Sequence, residues 1–181
     1  MHSYVSLLRG INVGNKIVDM PGLRRIFSSL GAEEVETYLR SGNVIFDIEE
    51  GDRTRLKGAI EDALLESLGY GVKVFIRSAT DLRRLVDGMP FTGIDDGKMH
   101  VTFLSATPAL FPADEVDEVR SEGEDYRFSG HEIYLYCPGG YGRTRLSNNF
   151  FEKKLKVDAT TRNWRSVCWL RSLAEKRAQQ V

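Results

Sequence analysis

The order of apolar runs between Ser3 and Ile76 constrains this chain more than any other feature. Ser3–Leu8 reads as a strand. Met20–Leu30 carries Leu23, Ile26, Phe27 and Leu30 at helical spacing, with Asp19 in the N-cap position, Pro21 in the first turn and Gly31 as the stop. Val35–Leu39 and Val44–Asp47 are short β-branched and aromatic runs on either side of Arg40-Ser41-Gly42-Asn43, a hairpin turn by composition. Asp52 caps a helix striped by Leu56, Ala59, Ile60, Ala63, Leu64 and Leu68; Gly69 ends it, and Val72–Ile76 is strand-like again. The order β-α-β-β-α-β is that of a ferredoxin-like plait, two helices on one face of a four-stranded antiparallel sheet.

The pattern then restarts. After a short helix opened by the capping pair Ser78 and Asp81 come a strand at Met99–Leu104, an acidic helix at Pro112–Arg120, and a hairpin of Asp125–Ser129 with Glu132–Cys137. Tyr38–Phe46 aligns with Tyr126–Tyr134 at an offset of 88 residues, identical at four of nine positions, which suggests a duplicated half-domain. Beyond its hairpin the second half diverges into a glycine-rich basic loop and helices near Ser147–Leu155 and Asn163–Gln179, the first of these with Asn149 and Glu152 spaced as a capping box. The expected fold is therefore α+β, with a ferredoxin-like half over 1–78. A second, incomplete ferredoxin-like half with C-terminal helices is expected over 79–181, the two forming one compact unit.

A chain of 181 residues buries roughly 70% of its unfolded surface, so it needs no metal or disulfide to hold a core. No apolar run approaches the length of a membrane span or a signal-peptide core. Two cysteines, Cys137 and Cys168, are expected as buried free thiols, and the cytoplasm is the expected compartment. The net charge of −1 hides a segregation: Gly139–Val181 holds ten basic and three acidic residues, whereas Pro112–Asp125 holds seven acids against Arg120 alone. Such asymmetry points to a basic surface that meets an anion, or to two halves that attract each other.

Several segments carry candidate chemistry. Arg9-Gly10-Ile11-Asn12-Val13-Gly14-Asn15-Lys16 leaves the first strand with two glycines that can turn backbone N–H groups outward, and Arg9, Asn12 and Lys16 add donors. It is neither a Walker A loop nor a dinucleotide fingerprint. The hairpin tip Arg40, Ser41, Gly42, Asn43 is small, polar and cationic. The loop Gly139–Arg145, with Tyr141, Arg143 and Arg145, has the composition of a mobile segment that closes on an anion or stacks on a base. Thr160, Thr161, Arg162, Asn163 and Trp164 precede the last helix, where a cap and a positive helix end make an anion site. His2, His100 and His131 are scattered without zinc spacing, no Gly-x-Ser-x-Gly elbow is present, and no carboxylate pair is arranged for acid–base work. The sequence identifies no metal site, no cofactor and no catalytic residue.

Tyr4–Gly14, Thr37–Phe46 and Ala159–Trp164, in that order, make the chain resemble the bacterial "domain of unknown function 1697" family over essentially its whole length. The resemblance implies a small cytosolic α+β protein with ferredoxin-like subdomains and brings no activity with it. It places emphasis on Arg9, Asn12, Gly14, Ser41, Gly42, Asn43 and Thr160–Trp164. The family loop usually carries a second glycine after Gly14, where this chain has Asn15, a residue that tolerates a left-handed backbone better than most.

The leading expectation is a protein that binds a phosphate-bearing ligand, a nucleotide or a nucleic acid, through Arg9, Lys16, Arg40, Arg143, Arg145 and Arg162, since arginine suits bidentate phosphate contacts. Val44-Ile45-Phe46 lacks the Lys/Arg-Gly-Phe pattern of an RNA-recognition strand, which weighs against RNA. Two alternatives remain open: an enzyme acting on a small anionic substrate, and an interaction protein without catalysis whose acidic segment docks on a partner copy. No membrane partner is expected, and the oligomeric state is left open.

Overall fold

The computed structural model describes residues 1–14 and 16–179; Asn15 and the position assigned to it above lie outside the described residues. The chain divides into two compact units, Met1–Arg83 with the segment from Leu170 onward, and Arg84–Trp169.

The first unit runs β1 (His2–Arg9), α1 (Met20–Ser29), β2 (Glu33–Tyr38), β3 (Asn43–Ile48), α2 (Arg53–Leu68), β4 (Lys73–Ser78) and the start of α3 (Ala79–Asp87). Its antiparallel sheet has the order β2-β3-β1-β4. The helix ends follow the sequence signals. The Asp19 carboxylate accepts from Gly22 N–H at 2.9 Å, Asp52 accepts from Thr54 and Arg55, and Gly69 takes the left-handed conformation that ends α2. Ser78 and Asp81 cap α3 reciprocally. Burial alone would raise the Asp81 pKa, but the Ser78 N–H and hydroxyl donors, with Arg53 and Arg77, outweigh it and hold the carboxyl below its usual range.

Tyr4, Leu8, Val44, Phe46, Val74 and Ile76 face α1 and α2, where Leu23, Phe27, Leu56, Ile60 and Leu64 meet them. Phe27 packs edge-on against Phe46, ring centroids 5.0 Å apart. Ser6 sits in this layer, fully buried between Val44 and Ile76, and among the described residues its hydroxyl has no hydrogen-bond partner. A buried polar group left unsatisfied is a net cost. Ser6→Ala is therefore expected to raise stability by about 1 kcal/mol. Urea unfolding checks this: the midpoint should rise with the m-value unchanged, and a fall in the midpoint would show that the hydroxyl is satisfied.

The second unit runs from the end of α3 through β5 (Met99–Leu104), α4 (Ala113–Val119), β6 (Asp125–Ser129), β7 (Glu132–Tyr136), α5 (Asn148–Leu155) and β8 (Ala159–Asn163) to the first turns of α6 (Trp164–Ala178). Its sheet order, β6-β7-β5-β8, repeats that of the first. The second plait is thus complete, and the expectation of an incomplete one is corrected by β8, which pairs with β5 from Leu104↔Ala159 to His100↔Asn163. This edge strand carries threonine, arginine and asparagine with no apolar alternation, so nothing in its hydrophobic pattern marks it as a strand. α5 is capped by Ser147, which accepts from Phe150 N–H, rather than by Asn149; Glu152 accepts instead from Ala159 N–H at 3.1 Å and ties the helix to β8.

The offset of 88 residues does not survive as a structural equivalence. It sets Phe46, which faces α1 and α2, against Tyr134, whose neighbours Ile133 and Leu135 face α4 and α5 in its place. The Tyr134 hydroxyl donates to the Leu85 carbonyl on the other side of the sheet. An odd shift in register exchanges the two faces of a strand. The two halves repeat a topology, and the sequence match between their hairpins falls one face out of step.

Candidate functional site

Two of the candidate segments meet at one end of the first sheet. After β1 the chain turns through three left-handed residues, Gly10, Asn12 and Gly14, at φ of 78°, 54° and 58°. Asn12 N–H donates to the Lys16 carbonyl at 2.6 Å and Lys16 N–H to the Val13 carbonyl at 3.2 Å, so the loop folds back on itself. The Asn12 side chain fixes it on both sides. Its Nδ2 donates to the Arg40 carbonyl at 2.7 Å and its Oδ1 accepts from Val18 N–H at 2.8 Å.

The turn between β2 and β3 spans residues 39–42, with Leu39 and Gly42 left-handed. Leu8 N–H donates to the Gly42 carbonyl at 2.8 Å. Asn43, expected at the tip, is instead fully buried in β3, where its Nδ2 donates to the Tyr38 carbonyl and the Ser41 hydroxyl, each at 2.9 Å. The amide closes the turn beneath its surface. Asn12, Ser41, Gly42 and Asn43 therefore build a rim, and the cations stand on it.

Arg40 is exposed, and Arg9 lies directly opposite Lys73 across the β1–β4 ladder. Leu8 and Val74 face the helices, so alternation puts Arg9 and Lys73 together on the opposite side. The Lys16 ammonium sits 5.0 Å over the Tyr70 ring. No acidic residue occurs in the stretches 9–18, 38–43 or 70–73 that form this end. Lys73 was not among the sequence candidates; its signal lies in the antiparallel register, which pairs it with Arg9.

The remaining candidates belong to the second unit, and most of them are occupied with holding it together. Arg162 is 7% exposed, and its guanidinium folds back on its own strand, donating to the Thr160 hydroxyl at 2.8 Å and the Thr161 carbonyl at 2.9 Å. Thr161 lies at the centre of a hydroxyl network: it receives Tyr141 OH at 3.0 Å, meets the Thr102 hydroxyl at 2.7 Å and donates to Asn148 Oδ1 at 2.7 Å. Asn163 accepts from Ser166 N–H and caps α6, and Trp164 is buried at its start. The helix end expected to meet an anion is thus filled by its own cap.

The glycine-rich loop contains a single 3₁₀ turn, Tyr141–Arg143, held by hydrogen bonds from Gly140 N–H to Cys137 and from Arg143 N–H to Gly140. Tyr141 stacks on His100, centroids 4.9 Å apart. The loop is therefore fastened to β5 and β8 where its composition suggests a free segment. Arg143 and Arg145 are exposed on it.

Burial favours the neutral form of three ionisable groups of this unit. Burial, with the Glu124 charge adding to it against a Thr144 hydrogen bond, pushes the Cys137 thiol up to about 12. Burial pushes Tyr134 to about 12, Glu132 adding and Arg84 opposing, and burial lowers the His100 pKa against a Lys98 backbone bond. Among the described residues no group of three or more His, Cys, Asp or Glu side chains is placed to hold a metal, and no helix is long and apolar enough to cross a membrane.

A family model described as a protein of unknown function (DUF1697) matches residues 1–134. Among solved structures, the conserved bacterial protein SP0830 from Streptococcus pneumoniae is similar with a TM-score of 0.73 at 23% identity, over 97% of this chain and 99% of that one. A likeness at this identity speaks to the fold. No curated protein matches the sequence.

Proposed function

The chain belongs to the DUF1697 family of proteins of unknown function, and we propose that it binds a phosphate-bearing ligand, a nucleotide or a nucleic acid, at the cationic end of the first plait. One observation carries the reading. The hydrogen bonds from Asn12 to Arg40 and from Leu8 to Gly42 lock the β1–α1 loop and the β2–β3 turn into a single rim bearing Arg9, Lys16 and Arg40, with Lys73 beside it and no carboxylate in these segments. Positive charge held on a rigid backbone suits phosphate oxygens, and arginine adds bidentate geometry. Neither Cys137 nor Cys168 is in a disulfide, which fits a cytoplasmic setting.

Fluorescence anisotropy with a labelled single-stranded oligonucleotide, and competition by nucleoside triphosphate, tests this. Engagement of about three or four phosphates gives a slope of log K against log salt of roughly −2 to −3 for a single strand. Arg40→Ala should weaken binding and flatten that slope by about one; the side chain is exposed, so the fold is retained. Triphosphate binding with a shallower salt response would select the nucleotide. No binding of either probe at low salt, or an Arg40→Ala protein indistinguishable from the original, would remove the reading.

A further inference from the structure

A groove lies on the helical side of the first unit, beside the end of the β1–α1 loop, with a volume of about 430 Å³. Small-molecule sites span roughly 300–1,000 Å³, so it has the size for one compact ligand. Its walls are Ile17 and Val18 from the loop, Ile26 from α1 and Leu68 from the end of α2. Ile17 is 78% exposed, an aliphatic side chain left in water at the mouth of the groove.

Two opposite charges line the same space, Asp19 and Arg25. They do not pair with each other, and among the described residues neither has another ionic partner. Asp19 uses Oδ2 to accept from Gly22 N–H, which leaves Oδ1 for another donor. Arg25 stands roughly 9 Å along the helix from Asp19 by the rise per residue. Both charged residues nevertheless line the same space.

We propose that this groove binds a small zwitterion, a free α-amino acid with an apolar side chain. The ammonium meets Asp19 Oδ1, the carboxylate meets Arg25, and the side chain covers Ile17, Val18, Ile26 and Leu68. A long peptide cannot substitute, because it separates its ammonium and carboxylate by its whole length. The site is distinct from the phosphate rim and uses none of its cations, so either can fail without the other.

The test is a titration of the full chain, followed by backbone amide NMR, with leucine and phenylalanine, and with leucinamide and N-acetyl-leucine as probes lacking one charge each. Leucine and phenylalanine should shift amides at residues 17–29 and 67–68, and each singly charged derivative should bind about fivefold more weakly, the scale of an exposed ion pair. Arg25→Gln should abolish the preference for leucine over leucinamide. Asp19→Asn, which retains the helix cap, should abolish the preference over N-acetyl-leucine. Both substituted side chains are exposed, so the folded spectrum serves as its own control. The absence of shifts in the groove up to the solubility limit of both amino acids, or equal responses to leucine and its derivatives, would overturn the proposal.

Discussion

Arg177→Met is expected to lower the unfolding free energy by about 3–5 kcal/mol, the cost of removing one member of a buried ion pair. Arg177, near the end of α6, is 7% exposed and pairs with Glu36 of β2, while its other terminal nitrogen lies 4.0 Å from Asp47 of β3. The two acids differ. Glu36 is half exposed and can rehydrate when the guanidinium is lost, but the Asp47 side chain is 8% exposed. Among the described residues Ser3 alone then remains to donate to the stranded Asp47 carboxylate, at 2.5 Å. Most of the expected loss is therefore the penalty of an uncompensated Asp47 charge.

That assignment makes a second result necessary. Asp47→Asn in the Arg177→Met background removes the stranded charge while keeping an acceptor for Ser3, and it should recover a large part of the loss. Urea unfolding of the two single variants and the double variant closes the cycle. An Arg177→Met protein within 1 kcal/mol of the original, about the worth of an exposed pair, or a double variant equal to the sum of the singles, would sink this account.

Where local chemistry decides an element, the sequence reads correctly. Asp19, Asp52 and Gly69 set helix ends because a cap acts within one turn of its own residue. β5 emerges from Met99–Leu104 because its apolar run is bounded by turn residues. What fails depends on partners distant in the chain. β8 is a strand because β5 offers it hydrogen bonds, and its threonines give no sign of that in isolation. Asn43 has the composition of a turn residue, but the pairing Tyr38↔Asn43 moves it into β3 and buries it. Arg162, by contrast, is engaged locally, its guanidinium bonded to the two residues just before it.

The rim behaves in the same way. Arg9, Asn12, Lys16 and Arg40 were legible as polar residues on two loops. That the loops join depends on the Asn12 amide reaching Arg40 across 28 residues, and Lys73 enters through strand register.

The two hairpin glycines separate these local and long-range effects, and Gly42→Ala carries the second large prediction. Gly42 and Gly130 occupy matching places in the Ser-Gly pairs of the two halves, and both are left-handed, at φ of 78° and 61°. An L side chain in that conformation costs about 1–2 kcal/mol at either position. Their surroundings differ. A Cβ on Gly42 would lie 2.8 Å from Ile11 Cδ1 and 2.9 Å from Leu8 Cβ, whereas one on Gly130 would meet nothing within 4 Å. Leu8 Cβ is fixed to the central strand and cannot swing aside, so the β2–β3 turn must lift off the β1–α1 loop. Overpacking of this kind adds about 1–3 kcal/mol. Gly42→Ala should therefore cost about 2–5 kcal/mol and Gly130→Ala about 1–2 kcal/mol, compared by urea midpoints at constant m-value. Equal costs would mean that backbone conformation alone selects both glycines. A larger cost at Gly42 would show that the turn is pressed against Ile11 and Leu8, a contact that only a residue without a side chain permits.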